Sequence, residues 1–380
     1  MPKTILPLPS SSPGTQRTLT VYRYGQPGAR PKAYFQAALH ADEFPGLLVA
    51  QHLLRLLEHA VATDAIIGEV VVVPVANPIG LAQHINGHVL GRFDLEVSGN
   101  FNRQFPRFPN EAMLARLQGR LNGDPQANTA LVRAVLQQSL AEVPRLRETD
   151  VLKATLLSLS IDADWVFDLH CDSEASLHLY ASKHHRDKAL ELGAELGANP
   201  ILLEEDPGGT PFDEANAGPW WRLREQLAEA NTLPLACFAT TIELRGRADV
   251  SDTYAQQDAA KLYRYLQRQG VIAGDPGPLP EPLCAPTPLE GVDILIAPAC
   301  GIVTYPKAVG ESVRNGEVVA EIVELAADDP RFARTPIYSR TDGVFFNRML
   351  DTLVRPGQQI GKVAGTEALP HRQFGKLLED

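Results

Sequence analysis

Residues 33–43 read Ala-Tyr-Phe-Gln-Ala-Ala-Leu-His-Ala-Asp-Glu, an apolar run that ends abruptly in polar residues. The run Ala33–Leu39 is typical of a buried strand, and leucines recur on one helical stripe over residues 47–59. Further strand-like runs lie at residues 69–75, 165–169, 177–181, 201–203 and 238–244. Because short apolar runs alternate with helical patterns, the sequence predicts an α/β fold with a mixed, mostly parallel sheet and covering helices.

The length of 380 residues and a change in composition indicate two domains. Residues 110–160 favour helices inserted between strands, and we interpret the amphipathic stretch 254–267 as the last helix of a first domain. A linker rich in proline and glycine, residues 274–288, marks the end of that domain. The first domain is therefore expected to span residues 1–285.

Residues 289–370 carry a weak internal repeat in place of helical patterns. Val313-Arg-Asn-Gly316 is echoed by Val354-Arg-Pro-Gly357, and a strand-like run follows each. The repeat predicts a small all-β barrel or sandwich and resembles the half-units of biotinyl/lipoyl-type hammerhead domains. Carrier domains present a modifiable lysine at a hairpin, whereas Glu-Leu-Ala-Ala-Asp-Asp follows Val323 here. We therefore interpret this domain as structural, as a lid or as an oligomer surface.

The bulk composition argues against several classes of partner. A formal net charge of -11 and a pI of about 5.4 predict repulsion from nucleic acid and from anionic membranes. The N-terminal residues lack the apolar core of a secretory signal, and no run approaches the length of a membrane span. The four cysteines are scattered, without paired metal-type spacing. We expect a cytoplasmic protein.

Polar clusters follow three of the predicted strands, and they suggest a metal site. His40 and Glu43 follow the first strand, His170 follows the strand at 165–169, and Glu243 lies near the end of the run 238–244. Ligands of open parallel sheets bind at the carboxyl ends of the strands, so these clusters can converge. Catalytic zinc takes three ligands of this kind, and the second shell can use Asp42 or Asp168. Taken alone, His40 and Glu43 are equally well explained as a surface loop pair.

The segment 91–106 contains the rare string Asn100-Phe-Asn-Arg-Gln-Phe-Pro106. Arg103 offers a planar fork and Asn102 a further donor, which together suit a carboxylate. The alternative reading is a turn rich in asparagine and glycine with an exposed arginine.

These residues carry a family resemblance. His40-Ala-Asp-Glu43, Asn102-Arg103, His170 and Glu243 occur in the order found in the zinc carboxypeptidases. More closely, the chain resembles the succinylglutamate desuccinylase/aspartoacylase branch over residues 30–265. That branch also appends a small β domain, which is consistent with residues 289–366.

The resemblance implies roles for individual residues. His40, Glu43 and His170 would bind a single zinc ion per chain, and Asn102 with Arg103 would hold the carboxylate of the substrate. Glu243 would be the general base and Arg92 would polarise the scissile carbonyl, although the spacing from Arg92 to Asn102 is longer than in aspartoacylase. Arg245 or Arg247 would contact the acyl group or pair with nearby acids.

The implied activity is zinc-dependent removal of an acyl group from a small, anionic N-acyl amino acid. A metallocarboxypeptidase acting on peptides and a non-catalytic binding protein that keeps the fold are the alternatives. The acyl group, the amino acid and the oligomeric state are left open, and homo-oligomers are compatible with the sequence.

Overall fold

The structure, a computed structural model, describes residues 3–227, 230, 233–329, 331 and 333–372. It divides into two compact units. The first unit comprises Met1–His170, Gly208–Ile242 and Val250–Leu279. The second unit comprises Cys171–Pro207, Glu243–Asp249 and Pro280–Asp380.

Helices are found in both units. Their bounds, in chain order, are α1 (Pro45–Ala62), α2 (Pro78–Leu81), α3 (Glu111–Leu117), α4 (Pro125–Ala141), α5 (Glu148–Ser160), α6 (Arg186–Leu196), α7 (Phe212–Gln226) and α8 (Asp252–Arg268). None of the helices in the described part of the chain combines the length and the hydropathy of a membrane span.

Strands alternate with the helices up to residue 246 and dominate beyond residue 286. Their bounds, in chain order, are β1 (Lys3–Pro7), β2 (Thr18–Tyr24), β3 (Lys32–Ala37), β4 (Glu69–Val73), β5 (His84–Ile85), β6 (His88–Val89), β7 (Trp165–Asp172), β8 (Glu174–Ala175), β9 (His178–Ser182), β10 (Ile201–Glu204), β11 (Phe238–Gly246), β12 (Thr287–Pro288), β13 (Val292–Ile296), β14 (Gly301–Thr304), β15 (Ser312–Val313), β16 (Val318–Val323), β17 (Arg334–Tyr338), β18 (Gly343–Arg348), β19 (Leu353–Val354) and β20 (Gln359–Gly365).

The first unit is built on a sheet with the strand order β1-β2-β4-β3-β7-β11. β1 and β2 are antiparallel to their neighbours, whereas β3 runs parallel to both β4 and β7. Ala37 on β3 pairs with Leu169 on β7, so the chain leaves both strands at the same edge of the sheet. The predicted mixed, mostly parallel sheet is thereby confirmed.

Helices bury their apolar stripes in the first unit. α1 presents Leu53 and Leu57 to the interior, and α8, which begins after the Ser251 cap, packs along it. The expected helices over residues 110–160 are α3, α4 and α5. Their buried side chains join Phe105 and Phe108 in a single hydrophobic core.

The second unit contains the short parallel strands β9, β10 and β12 together with antiparallel sheets. One antiparallel sheet has the order β13-β20-β18-β15, with β8 paired to β18, and another has the order β17-β16-β14-β19. The sequence repeat appears as β15 leading into β16 and β19 leading into β20. Each link turns at a glycine of positive φ, Gly316 at 81° and Gly357 at 84°.

Candidate metal centre

The loop after β3 brings His40 and Glu43 to the carboxyl edge of the first unit's sheet. Ala38 takes a left-handed backbone conformation, with φ at 59°, and this ends the strand two residues before the predicted position. The Glu43 N–H then donates to the His40 carbonyl at 3.2 Å, which closes a tight turn ahead of α1. Gly46 allows that helix to start against the sheet, because a Cβ there would lie 2.9 Å from the Leu169 carbonyl oxygen.

His40, Glu43 and His170 form one buried cluster. Their candidate ligand atoms all lie within 4.8 Å of one another, and each residue is at most 4% exposed. Nδ1 of His40 lies 3.0 Å from Oε1 of Glu43, and Nδ1 of His170 lies 2.8 Å from Oε2 of the same carboxylate. The predicted convergence of these three side chains is therefore present in the structure.

Asn100 fixes the tautomer of His40. Its Oδ1 accepts the backbone N–H of Asn102 at 2.8 Å, so this atom must be the amide oxygen. The same oxygen lies 2.8 Å from Nε2 of His40, and the imidazole must therefore donate there. Burial and the nearby Arg92 guanidinium lower the pKa of His40 to about 4. At neutral pH the ring thus carries its proton on Nε2 and turns the Nδ1 lone pair towards Glu43.

A lone pair facing a carboxylate at 3.0 Å is unfavourable unless a cation lies beside both atoms. Arg92 supplies part of the required positive charge, since its Nη1 lies 3.2 Å from Nδ1 of His40 and 3.4 Å from Oε1 of Glu43. Gly91 makes the approach feasible, because a Cβ there would lie 2.6 Å from the Asp42 nitrogen. The predicted site residue Arg92 is therefore beside the cluster of His40, Glu43 and His170.

His170 lies between two carboxylates. Its Nδ1 faces Glu43, and its Nε2 lies 2.9 Å from Oδ2 of Asp168, which is completely buried. Neither of these two atoms has a hydrogen-bond partner among the described residues, so the short contact is not aligned as a hydrogen bond. Burial lowers the pKa of His170, but the two carboxylates outweigh it and raise the pKa well above the usual range. Asp168, one of the two aspartates considered for the second shell, thus lies beside the His170 imidazole.

Glu43 is held ionised by its neighbours. Burial raises the pKa of this carboxyl, yet the imidazoles of His40 and His170 outweigh burial and hold the pKa below its usual range. Two imidazole nitrogens and one carboxylate are a donor set typical of catalytic zinc sites, which leave a fourth position for water. The cluster can therefore hold a metal ion.

Asn102 and Arg103 lie in the same unit, in the loop that contains Asn100. Oδ1 of Asn102 accepts the Phe212 N–H at 2.8 Å, at the start of α7, and the residue is buried. Nη1 of Arg103 donates to the Asn102 carbonyl at 2.8 Å. A Cβ at Gly209 would lie 2.7 Å from Cδ of Arg103. Glycine at position 209 therefore leaves room for the aliphatic part of the Arg103 side chain.

Glu243 and Arg245 belong to the second unit, on β11. Both are partly exposed, and Arg245 has a left-handed backbone with φ at 68°. In the same unit, burial lowers the pKa of the Lys362 ammonium, but Asp172, Tyr180 and Glu243 outweigh burial and raise it. Nζ of Lys362 lies 3.0 Å from Oδ2 of Asp172. Glu243 is thus close to a half-buried, charged lysine on β20 that the sequence did not single out.

Asn100→Leu is expected to weaken binding of a metal ion such as zinc by the His40–Glu43–His170 cluster by roughly 10–100-fold, which is the usual effect of removing an outer-shell partner. Leucine removes the acceptor for His40, so the imidazole loses the interaction that fixes its tautomer. Asn100→Asp retains an oxygen and should stay within a few-fold of wild type. Competition with a chromophoric chelator measures the dissociation constants. Equal constants for all three proteins would show that Asn100 does not set the tautomer.

Comparison with known proteins gives a family match. The model of the succinylglutamate desuccinylase/aspartoacylase catalytic domain matches residues 29–268. A search of curated proteins gives no match.

Solved structures resemble the chain over nearly its whole length. A succinylglutamate desuccinylase/aspartoacylase family protein from Shewanella amazonensis SB2B is 28% identical, with 96% of this chain and 98% of that chain covered and a TM-score of 0.84. A counterpart from Shewanella frigidimarina NCIMB 400 is 24% identical, with 96% of each chain covered and a TM-score of 0.83. The product-bound ectoine utilization protein EutE (DoeB) from Ruegeria pomeroyi is 18% identical, with 96% and 95% covered and a TM-score of 0.62. The last two show a shared fold.

Proposed function

Because the chain belongs to the succinylglutamate desuccinylase/aspartoacylase family, a family of deacylating hydrolases, we propose that it is a zinc-dependent amidohydrolase. Its substrate would be a small, anionic N-acyl amino acid, from which it removes the acyl group. The observation that carries the proposal is the buried His40–Glu43–His170 cluster, in which Asn100 leaves a lone pair of His40 directed at the carboxylate.

His40, Glu43 and His170 would hold the ion. Zinc in such a site lowers the pKa of its bound water towards ~7 and polarises the amide oxygen. The protein orients the two imidazole donors in advance: Asn100 holds the proton on Nε2 of His40, and Asp168 lies beside Nε2 of His170. Neither imidazole then has to reorganise much when the site is filled.

Glu243 would act as the general base, taking a proton from the attacking water and passing it to the leaving amine. Arg92 would contribute positive charge where the carbonyl oxygen becomes negative, and its position beside His40 and Glu43 supports this role. Arg103 and Asn102 would orient the carboxylate of the substrate, and Arg245 would contact the acyl group. The buried Asn102 anchors its loop to α7, so Arg103 is the residue better placed for direct contact.

The proposal includes the domain organisation and setting expected from the sequence. Residues 1–285 would form the catalytic domain and residues 289–370 a non-carrier β domain, in a cytoplasmic enzyme that acts without nucleic acid or membrane partners.

A substrate screen tests the activity. Zinc-loaded protein is incubated with N-acetyl and N-succinyl amino acids and with dipeptides that end in a free carboxylate, and release of the free amine is measured. We expect about one zinc ion per chain and turnover of N-acyl amino acids that a chelator abolishes. Cleavage of peptides alone would favour a carboxypeptidase. Zinc content far below one per chain in protein prepared without chelators would favour a non-catalytic binding protein.

A further inference from the structure

A line of buried polar side chains extends the contacts of His170 into the middle of the first unit's sheet. The Tyr34 hydroxyl donates to Oε1 of Gln36 at 2.9 Å, and Nε2 of Gln36 donates to Oδ1 of Asp168 at 2.9 Å. Oδ2 of Asp168 then lies 2.9 Å from Nε2 of His170. Tyr34, Gln36 and Asp168 are each no more than 1% exposed.

The direction of each contact along this line is fixed. Burial and the Asp168 charge raise the pKa of Tyr34 well above its usual value, so the phenol keeps its proton and donates. Gln36 must therefore present its oxygen to Tyr34 and its NH₂ group to Asp168. With one oxygen of Asp168 taken by that amide, the other oxygen faces the histidine.

The strand register explains why these residues meet. Tyr34 and Gln36 are two apart on β3 and so lie on the same face, and Gln36 pairs directly with Asp168 on β7. Gln36 is the uncharged polar residue among apolar neighbours in the interior of that strand. A buried amide is costly unless its hydrogen bonds are made, and here the amide accepts from Tyr34 on one side and donates to Asp168, the neighbour of His170, on the other.

We propose that Tyr34 and Gln36 are positioning residues of the metal site. They hold the Asp168 carboxylate against the Nε2 side of the His170 ring, 2.9 Å away, and so orient the ring with Nδ1 towards the ion. The inference rests on the proposed function, because it assumes that His170 binds the metal. A positioning role differs from a merely structural one, in which the hydrogen bonds would only offset the free-energy cost of burying Asp168.

Tyr34→Phe removes the first hydroxyl of the line without changing the ring, and Tyr24→Phe is its matched control. Tyr24 is also buried in the first unit, and its hydroxyl donates to Oε1 of Glu58 at 2.8 Å, away from the metal ligands. Each variant loses the single hydrogen bond of a buried tyrosine hydroxyl, and the two should lose similar thermal stability in the presence of a chelator. Gln36→Met keeps the length of the side chain and removes both contacts.

Zinc dissociation constants from chelator competition are the main readout. We expect an increase of about 3–10-fold for Tyr34→Phe and about 10–100-fold for Gln36→Met, and no change for Tyr24→Phe. In proton NMR, the downfield Nε2–H resonance of His170 in the zinc-loaded protein should shift in the first two variants and stay in place in the control.

Two results overturn the inference in distinguishable ways. If wild-type protein binds zinc and the Tyr34→Phe and Gln36→Met variants bind it equally well, with an unshifted His170 resonance, the line of hydrogen bonds is only structural. If wild-type protein binds no zinc, both the inference and the proposed function fail.

Discussion

His170→Ala is expected to abolish the proposed stoichiometric zinc binding and, with it, the proposed deacylase activity. In the proposed metal site His170 is one of three protein ligands, and alanine leaves Glu43 and Asp168 as buried carboxylates without the imidazole between them. The loss of zinc affinity should exceed the roughly 10–100-fold that removal of an outer-shell partner causes. The zinc content of dialysed protein and the rate of amine release measure the two effects.

Thermal unfolding provides an independent measurement of the same change. Zinc at 1,000 times its dissociation constant should stabilise the wild-type protein by ~4 kcal/mol through mass action, and the variant should lose this gain. His185→Ala, which replaces a buried histidine of the second unit, is the control and should keep its zinc. A His170→Ala protein that still holds zinc at wild-type affinity would remove this residue from the ligand set.

Glu243→Gln is expected to lower kcat by roughly 10²–10⁴-fold while the zinc content stays at the wild-type level. Glutamine keeps the size of the side chain but cannot accept the proton of the attacking water at neutral pH. Steady-state rates with the best substrate of the screen and metal analysis of the same sample measure the two quantities.

Glu195→Gln is the control, because Glu195 is a second carboxylate of the same unit, buried on α6. Its activity should remain close to wild type. If Glu243→Gln keeps activity within a few-fold of wild type, another group is the base. If it loses zinc as well, Glu243 takes part in metal binding.

The strands of the first unit were predictable because their apolar runs are short and uninterrupted. β4, with four consecutive valines, and β7 begin at the residues that the sequence indicated. The ends of the strands are less predictable. β3 stops at Ala37 because Ala38 adopts a positive φ, and no apolar pattern reveals such a backbone conformation. The predicted α/β class with an additional antiparallel region is confirmed.

The cluster of His40, Glu43 and His170 could be predicted because its residues lie at the ends of two neighbouring parallel strands, so that adjacency in the sheet brings distant residues together. The supporting residues could not be found in this way. Gln36 reads as a polar interruption of a strand, and Asn100 as part of a turn. Their roles depend on contacts across 132 and 60 positions of the chain, which no local pattern encodes.

Asn100 also links the proposed metal site to the loop that carries Arg103. A single amide oxygen receives Nε2–H of His40 and the backbone N–H of Asn102, the residue next to Arg103. A shift of the imidazole on loading the ion would be transmitted to the loop that presents the arginine. Thermodynamic linkage is reciprocal. If the bound ion raises the affinity for the anionic substrate by some factor, the bound substrate must raise the affinity for the ion by the same factor.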